Sequence, residues 1–274
     1  MSRKVNIFNS LSSGCGDLDV IAYFAKTEFS EANLATYLSD LGLTYNELKD
    51  FTCTYITGLK TLGVYSKFSL LNLPIGNDAV RRKFNFIDPQ DTDAAFRSTF
   101  SGGLTFSSFG IQGGPNGFID TKYVPSAQSD INNFGCFYYN RTTPSGFGTH
   151  GVSDGVFNQI RQAFAFNGAI LGTTATLISH SGSFSRNVFL RSYLGGYQFY
   201  ANNVSVGTYT GAAKALASSK FYFMARNNSN VSIFDPTLDQ ISMFGILSQS
   251  VDDSEALAII NLNNTYLTNL GLAV

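Results

Sequence analysis

Residues 84–124, FNFIDPQDTDAAFRSTFSGGLTFSSFGIQGGPNGFIDTKYV, decide the fold, because the sequence before them has helical patterns and the sequence after them is rich in strands and turns. Phe84 and Phe86 alternate around Asn85, which predicts an extended segment with one buried face. The Asp88–Pro89 pair ends that segment, since proline fixes φ and has no N–H to donate. The chain is therefore predicted to change from helix to sheet within this stretch.

Two strand candidates follow inside the same stretch. They are residues 104–106 and 118–119, and a glycine-rich segment with the Asn116–Gly117 pair separates them. Glycine and asparagine tolerate the positive φ of a tight reversal. The two candidates are therefore predicted to form the first hairpin of a β-sandwich, after a turn or single helical turn at residues 93–97.

The rest of the chain up to residue 247 repeats short strand-forming segments with turn residues between them. Gly195–Gly196 and Asn202–Asn203 separate such segments by about two residues, which is hairpin spacing. This series predicts a mainly β fold of the antiparallel sandwich or jelly-roll type. Its predicted strands span residues 135–140, 157–166, 173–179, 187–193, 197–201, 204–209 and 221–225.

A helical hairpin is predicted ahead of this β-rich body. Apolar residues recur at helical spacing over residues 34–41, and Gly42 provides a stop. Thr44 and Glu47 then form a capping-box pattern, in which the hydroxyl accepts the N3 amide and the carboxylate accepts the cap amide. The second helix carries one apolar face and ends at Gly63.

These patterns divide the chain into three parts. Residues 1–27 are predicted to form an N-terminal arm, which is either a strand or arm on its own body or a tail that docks on another protein. Residues 28–75 hold the helical hairpin and a lead-in strand, and they pack on their own domain or between subunits. Residues 76–274 form the sandwich, with a short C-terminal helix that the Asp252 and Glu255 capping-box pattern begins.

The sequence of residues 84–108, followed by PNGFIDTK at 115–122, resembles virion fibre-type proteins of tailed phages of Bacteroidetes hosts, the crAss-like phages among them. The likeness extends from about residue 48, and residues 238–260 are similar to the terminal strand and helix of laminin-G-like sandwiches. The resemblance implies a concanavalin- or laminin-G-like jelly roll in a structural protein of the particle. The first 30 or so residues show no such likeness.

Composition argues against several classes of partner. The 274-residue chain is 44% hydrophobic and 14% charged, with a net charge of -1, so it lacks the basic field that gathers nucleic acid. No apolar run approaches the ~20 residues of a membrane-spanning helix, and the N-terminus lacks the apolar core of a signal peptide. We therefore expect no nucleic-acid or membrane partner and assembly in a cytoplasm.

The cysteines and histidines form no recognisable site. Cys15, Cys53 and Cys136 are odd in number and widely spaced, so all three are expected to be reduced and structural. His150 and His180 have glycine or serine neighbours and are predicted to be solvated loop residues. Two distant histidines and Cys136 are too few ligands for a transition metal.

No metal or other cofactor is predicted, although one calcium alternative stays open. Some laminin-G-like folds bind calcium, and in this sequence Asp154, Asp235 and Asp239 offer the hard oxygen ligands that calcium prefers. The alternative role for each aspartate is to bend or cap the backbone of a turn.

No catalytic residue is predicted, so the protein is not expected to be an enzyme. A jelly roll that cleaves polysaccharide needs carboxylates that share one strand face. All four glutamates lie in helical segments. The nearest aspartate pairs, Asp91 with Asp93 and Asp235 with Asp239, precede or occupy turns.

The leading hypothesis is a phage virion structural protein, a head or tail fibre or decoration subunit that assembles as a homo-oligomer, with a homotrimer expected. Its N-terminal region would dock on other virion proteins, and its jelly roll would face outward toward host surface glycans. The 14 tyrosines support glycan binding, because aromatic rings stack on sugars. Alternatives are a carbohydrate-binding lectin module and a polysaccharide-degrading jelly-roll enzyme.

Overall fold

The computed structural model describes residues 17–26, 31–142, 148–163, 166–172, 178–181, 186–210 and 215–274. Within these residues most helices lie toward the two ends of the chain. The helices are α1 (Leu18–Lys26), α2 (Glu31–Leu41), α3 (Tyr45–Thr61), α4 (Ala79–Arg82), α5 (Pro125–Gln128) and α6 (Asp253–Asn269), with 3₁₀ turns at Tyr65–Lys67 and Asp93–Ala95.

Short strands fill the chain between these helices. In chain order they are β1 (Phe68–Asn72), β2 (Thr99–Ser101), β3 (Thr105–Ser107), β4 (Gly110–Gln112), β5 (Phe118–Asp120), β6 (Gly135–Asn140), β7 (Gly148–Ser153), β8 (Phe157–Ala163), β9 (Phe166–Gly172), β10 (Ile178–Ser181), β11 (Asn187–Tyr193), β12 (Gly196–Ala201), β13 (Val204–Thr210), β14 (Tyr222–Phe223), β15 (Arg226–Asn228), β16 (Ser232–Phe234) and β17 (Gln240–Leu247).

The strands form two sheets. Sheet A has the order β13-β12-β11-β6-β17-β4-β3, and β1 also pairs with β17. Sheet B has the order β10-β9-β8-β7-β14-β5-β2, with β15 beside β7 and β16 beside β15. The described pairs are antiparallel apart from β15 with β7. The predicted fold class is thereby confirmed: a mainly β, antiparallel sandwich with helices before it and one helix after it.

Sheet A is the middle of three layers, because both of its faces are covered. Cys136 and Tyr138 of β6 belong to the core shared with sheet B. The alternate residues, Phe137 and Tyr139, belong to a second core under a helical layer made of α1, α2, α3 and α6. Burial on both faces explains why every residue of β6 is buried. The outer face of sheet B therefore lies on the side away from the helical layer.

Both predicted capping boxes are confirmed. At α3 the Glu47 amide donates to the Thr44 hydroxyl (3.3 Å), and the Thr44 amide donates to the Glu47 carboxylate (2.8 Å). The Thr44 hydroxyl also donates to the Glu47 carboxylate (2.7 Å), and this bond first, with the bond from the Thr44 amide second, lowers the pKa of Glu47. Asp252 and Glu255 form the same motif at α6.

Replacing Thr44 with alanine should lower the free energy of unfolding by about 1 kcal/mol, because the N3 amide of α3 loses its acceptor. Urea denaturation monitored by circular dichroism measures this change. Thr54→Ala is the matched control, since Thr54 is exposed and its hydroxyl donates to the Asp50 carbonyl within the same helix. An equal loss in both variants would show that the cap has no special role.

The predicted first hairpin is wrong. Residues 105–107 pair with β4 in sheet A, whereas residues 118–120 pair with β2 and β14 in sheet B. The glycine-rich segment between them crosses from one sheet to the other instead of reversing within one. Gly102 has φ +72°, and a Cβ atom there would lie 2.0 Å from the Asn116 carbonyl oxygen, so close backbone contact requires this glycine.

Phe84 and Phe86 are buried as predicted, but Asn85 between them is buried too, so the segment has no exposed face, and it is not part of a strand. Asn85 takes the place of a strand partner for β1: its Oδ1 accepts the Leu71 amide (3.0 Å), and its Nδ2 donates to the Ser69 carbonyl (2.8 Å). The Phe86 amide also donates to the Leu71 carbonyl (2.8 Å). A side-chain amide therefore satisfies the free edge of β1.

Two local predictions need correction, and a third is described only in part. Residues 20–24 of the predicted N-terminal arm lie in helix α1, whose Val20 and Tyr23 are buried, so the strand alternative for this segment is wrong. The strand predicted at 157–166 is instead two paired strands, β8 and β9. The strand predicted at 173–179 is described only from residue 178, where β10 begins. Residues 1–16 of the predicted arm and residues 173–177 lie outside the described residues.

The cysteine prediction is wrong for one residue. Cys53 on α3 is disulfide-bonded. Cys136 is free and buried in the sandwich core, where burial raises the pKa of its thiol. Cys15 lies outside the described residues. No helix within the described residues is both long and apolar enough to cross a membrane.

Candidate functional site

His150 is a core residue, so the prediction of a solvated loop histidine is wrong. It lies on β7, is fully buried, and stacks on Tyr138 with ring centroids 4.0 Å apart. Its Nδ1 accepts the Met224 amide (2.9 Å), and its Nε2 has no hydrogen-bond partner in the described residues. Burial lowers the pKa of His150 to about 3. His180 lies on β10, and its side chain is outside what the structure describes.

Asp91 and Asp93 form a surface ion-pair cluster with basic residues. Arg97 contacts Asp91 (2.9 Å) and Asp93 (3.0 Å), and Lys83 contacts Asp91 (2.6 Å). These hydrogen bonds, with Lys83 first and Arg97 second, lower the pKa of Asp91. A carboxylate held ionised in this way is a poor proton donor, so Asp91 does not have the raised pKa that a general acid needs.

The three aspartates considered for calcium do not converge. Asp154 accepts the amides of Ser218 and Ser219 (2.8 and 2.7 Å) and fixes a turn. Asp235 lies 3.4 Å from Arg226, and Asp239 is buried and accepts the Asn140 side-chain amide (2.9 Å). Burial raises the pKa of Asp239. Within the described residues no three His, Cys, Asp or Glu side chains are grouped to hold a metal ion.

The outer face of sheet B carries a different group of side chains, on β2, β5 and β14. Phe100, Ile119 and Phe223 of these strands pack into the core. Alternation therefore turns their neighbours, Thr99, Phe118, Asp120 and Tyr222, to the outer face. The strand register places Asp120 between Thr99 on one side and Tyr222 on the other.

Phe118 and Tyr222 form an aromatic pair on this face. Their ring centroids are 4.7 Å apart with an interplanar angle of 15°, so the rings are stacked. Both side chains are half-buried, which leaves part of each ring in contact with solvent. They are diagonal neighbours across the β5–β14 pair, a separation that aromatic side chains span. We call Phe118, Tyr222 and the polar groups beside them the aromatic platform.

Asp120 and two lysines border the pair. The Asp120 carboxylate lies 2.6 Å from Lys122 Nζ and 3.5 Å from Lys220 Nζ. Lys122 Nζ also donates to the Thr99 hydroxyl (2.8 Å). Burial first, and the Asp120 carboxylate second, raise the pKa of Tyr222. Two cations around one anion leave a net positive charge beside the rings.

The backbone at Lys122 explains why its side chain returns to Asp120. Lys122 has φ +62°, and its amide donates to Asp120 Oδ1 (2.9 Å), which closes a tight turn after β5. The Lys122 side chain is largely shielded, with 13% exposed, whereas 41% of the Lys220 side chain is exposed. Lys220 is therefore the cation that a ligand reaches most easily.

Sequence reasoning located the two strands that carry the aromatic pair, β5 and β14, but it located neither β2 nor the platform. Phe118 and Asp120 share one face of a strand, and Tyr222 precedes a core phenylalanine, so alternation indicates their outward direction. Nothing local indicates that β5 and β14, about 100 residues apart, are neighbours, because strand pairing depends on the tertiary fold.

Comparison with known proteins gives a fold and no family. No family model matches this sequence, and no curated protein does. A mutant of Trypanosoma rangeli sialidase displaying trans-sialidase activity is similar in structure, with a TM-score of 0.51 and 10% identity over 78% of this chain and 39% of that one. At this identity the likeness supports the fold alone.

Two toxin domains give weaker matches. The binding domain of botulinum neurotoxin DC, solved with rat synaptotagmin II, has a TM-score of 0.48 and 11% identity over 72% of this chain and 52% of that one. The binding domain of Paraclostridial Mosquitocidal Protein 1 has a TM-score of 0.49 and 10% identity, with the same coverage. The chain thus spans about half, or less, of the solved chains that it resembles.

Proposed function

We propose that this chain is a glycan-binding module and that the aromatic platform is its binding surface. The observation that carries the proposal is the stacked Phe118–Tyr222 pair beside Asp120 and Lys220 on the outer face of sheet B. An apolar ring surface next to fixed polar groups suits a sugar, which has an apolar C–H face and a rim of hydroxyls.

The aromatic pair supplies the contact area. A half-buried ring that is held by a stacked neighbour loses little conformational freedom when a ligand binds, so its contact area contributes efficiently to affinity. The strands below the rings are rigid elements packed on the sandwich core through Ile119 and Phe223. The platform is therefore already organised for binding.

The polar groups beside the rings fix the orientation of a bound sugar. The Asp120 carboxylate accepts from Lys122 and retains further acceptor capacity, since an ionised carboxylate has about four lone-pair sites. Lys220 Nζ, with its side chain 41% exposed, retains donors for a hydroxyl or carboxylate of the sugar. Donors and acceptors within reach of one aromatic surface determine which face and which epimer of a sugar fits.

Replacing Tyr222 with alanine should weaken glycan binding about tenfold or more, since a tenfold loss corresponds to about 1.4 kcal/mol and aromatic contacts are of this size. The measurement is a glycan array that includes bacterial surface polysaccharides, followed by titration of the strongest ligand by calorimetry. Phe234→Ala is the matched control, because Phe234 is an exposed aromatic residue on the β15–β16 hairpin, outside the platform.

Two results would contradict this proposal. The first is an array on which the unmodified protein binds no glycan. The second is a bound glycan whose affinity is unchanged by Tyr222→Ala and reduced by Phe234→Ala, which would move the binding surface to the hairpin. Thermal denaturation of each variant separates a lost ligand contact from a lost fold.

We further propose that the module is part of a phage virion, as a fibre or decoration subunit that forms a homotrimer and attaches the particle to its host. The support is the sequence resemblance from about residue 48 onward. Two strongly exposed apolar side chains on and after the β15–β16 hairpin, Val231 and Leu238, offer surface for self-association. A monomer in sedimentation equilibrium that never co-purifies with particles would contradict this role.

A non-catalytic role is proposed as well. Each candidate acid whose side chain the structure describes has a structural partner: Asp91 and Asp93 bind Arg97, and Glu47 and Glu255 cap helices. Incubation with the bound polysaccharide should release no new reducing ends. Release that Asp120→Asn abolishes would instead indicate a glycosidase at the platform.

A further inference from the structure

Arg82 is a buried cation with no anionic partner among the described residues. Its side chain lies between the helical layer and sheet A, and the residue is 0% exposed. Nη1 donates to the carbonyl oxygens of Leu73 (2.9 Å) and Ser242 (3.0 Å). Within the described part of the chain, Nε and Nη2 have no hydrogen-bond partner, and no carboxylate forms an ion pair with this guanidinium.

Other arginines with little exposed surface are compensated. Arg191, packed against α6, contacts the carboxylate of Asp253, and Arg81 contacts Asp78. Arg226 lies 3.4 Å from Asp235. Burying an ion without a counter-charge is costly, so a charge that stays buried is normally paired. Arg82 therefore differs from these arginines in a way that requires an explanation.

The groups that surround Arg82 are neutral and come from several elements. Burial lowers the pKa of Arg82, and the groups that oppose this effect are the phenols of Tyr37, Tyr23 and Tyr266. The Tyr23 hydroxyl is buried and, like Arg82 Nε, has no hydrogen-bond partner. The Asn72 side chain donates to the Arg82 carbonyl (2.6 Å). Helices α1, α2 and α6 thus enclose one positive charge with phenols.

We propose that Arg82 and Tyr23 hold a small inorganic anion, of the size of chloride, between the helical layer and sheet A. The Nε–H and one Nη2–H of a guanidinium project in parallel from one edge, which is the geometry that binds an anion with two hydrogen bonds. The Tyr23 hydroxyl provides a third donor. Full burial limits the occupant to a small ion, and the site lies on the opposite side of sheet A from the aromatic platform.

The anion links α1 to the sandwich in this arrangement. Tyr23 is on α1, whereas Arg82 is the last residue of α4 and donates to the Ser242 carbonyl of β17 in sheet A. The helical layer covers the positive charge of Arg82, and a bound anion would neutralise that charge. Because the ion binds only the folded protein, it stabilises the fold in proportion to the logarithm of its concentration once the site is mostly occupied.

Thermal unfolding at fixed ionic strength tests this site. The melting temperature should rise by a few degrees as sodium chloride replaces sodium gluconate, because gluconate is too large to enter. Arg82→Met should lose this dependence. ³⁵Cl nuclear magnetic resonance provides a direct measurement: the chloride line should broaden with the unmodified protein and remain narrow with Arg82→Met.

Arg191→Met is the matched control, because Arg191 is also a buried arginine but has a carboxylate partner; its response to chloride should equal that of the unmodified protein. Tyr23→Phe, which removes one donor, serves if Arg82→Met fails to fold and should weaken the response. Equal melting temperatures in chloride and gluconate, together with an unbroadened chloride line for the unmodified protein, would overturn the proposal.

Discussion

Lowering the pH from 7 to 5 should destabilise this protein by about 2 kcal/mol through His150 alone. The pKa of His150 is lowered from 6.5 to about 3 by burial, so the unfolded chain binds a proton in this range while the folded chain does not. The loss begins near the unfolded pKa of 6.5, grows as the pH falls, and levels off below about pH 3.

His150→Asn should remove most of this pH dependence. An asparagine Oδ1 is placed to accept the Met224 amide that His150 Nδ1 accepts, and asparagine has no proton to gain. The variant should be less stable at pH 7, since stacking on Tyr138 is lost. The measurement is urea denaturation of both proteins at several pH values between 7 and 4.

Asp239 is a second buried titratable group, and it changes the free energy of unfolding with pH in the opposite direction to His150. Burial raises the pKa of Asp239, so the folded state binds that proton more readily and gains stability as the pH falls through the raised pKa. A net loss between pH 6.5 and 5 that disappears in His150→Asn therefore identifies the histidine. Parallel pH profiles for the two proteins would show that His150 does not titrate as a buried residue.

Replacing Asn85 with alanine should lower the free energy of unfolding by about 3–5 kcal/mol, because buried backbone groups lose their partners together. Asn85 Oδ1 accepts the amides of Leu71 and Ile87 (3.0 and 3.1 Å), and Nδ2 donates to the carbonyls of Ser69 and Ala95 (2.8 and 3.0 Å). Urea denaturation measures the change.

Asn46→Ala is the matched control for this prediction. Asn46 is exposed on α3, so its replacement should change the free energy of unfolding by no more than about 0.5 kcal/mol. Asn85→Asp should also be strongly destabilising, because the aspartate cannot donate to Ser69 and Ala95 and would bury a charge. A loss below about 1 kcal/mol for Asn85→Ala would show that other groups or water satisfy the edge of β1.

Local sequence patterns predicted the elements whose causes are local. The capping boxes at Thr44 and Asp252 and the hairpin turn at Asn202–Asn203 are present as expected, because each depends on residues within a few positions of one another. The 3₁₀ turn at Asp93–Ala95 belongs to the same group. The overall sandwich also followed, since many short strands with few helices among them have few other ways to form a core.

Predictions that depended on long-range packing failed. Alternation at Phe84 and Phe86 indicated an extended segment with one buried face, but Asn85 is buried as well, and its side-chain amide bonds to the edge of β1. Glycine and serine beside His150 indicated a loop, but β7 buries it against Tyr138. Small neighbours mark an exposed turn or a closely packed strand equally well, and the sequence contains no local signal that separates the two cases.

The candidate site likewise depends on long-range packing that local sequence patterns do not reveal. Aromatic rings were expected to contact sugars, yet the two rings that form the platform lie on strands distant in sequence. The aspartates singled out for calcium or catalysis, such as Asp154 and Asp235, hold turns and arginines instead. Asp120, which does border the platform, carried no sequence signal beyond its alternation with Ile119.

The position of β17 within sheet A has a consequence for biosynthesis. This strand pairs with β1, β4 and β6, so a segment made late in translation holds together three segments made early. While the ribosome is still translating the region before residue 240, β1 and the helices beside it have no central strand to join. Completion of the middle layer therefore waits for the late segment to leave the exit tunnel, and nascent chains need protection from aggregation until then.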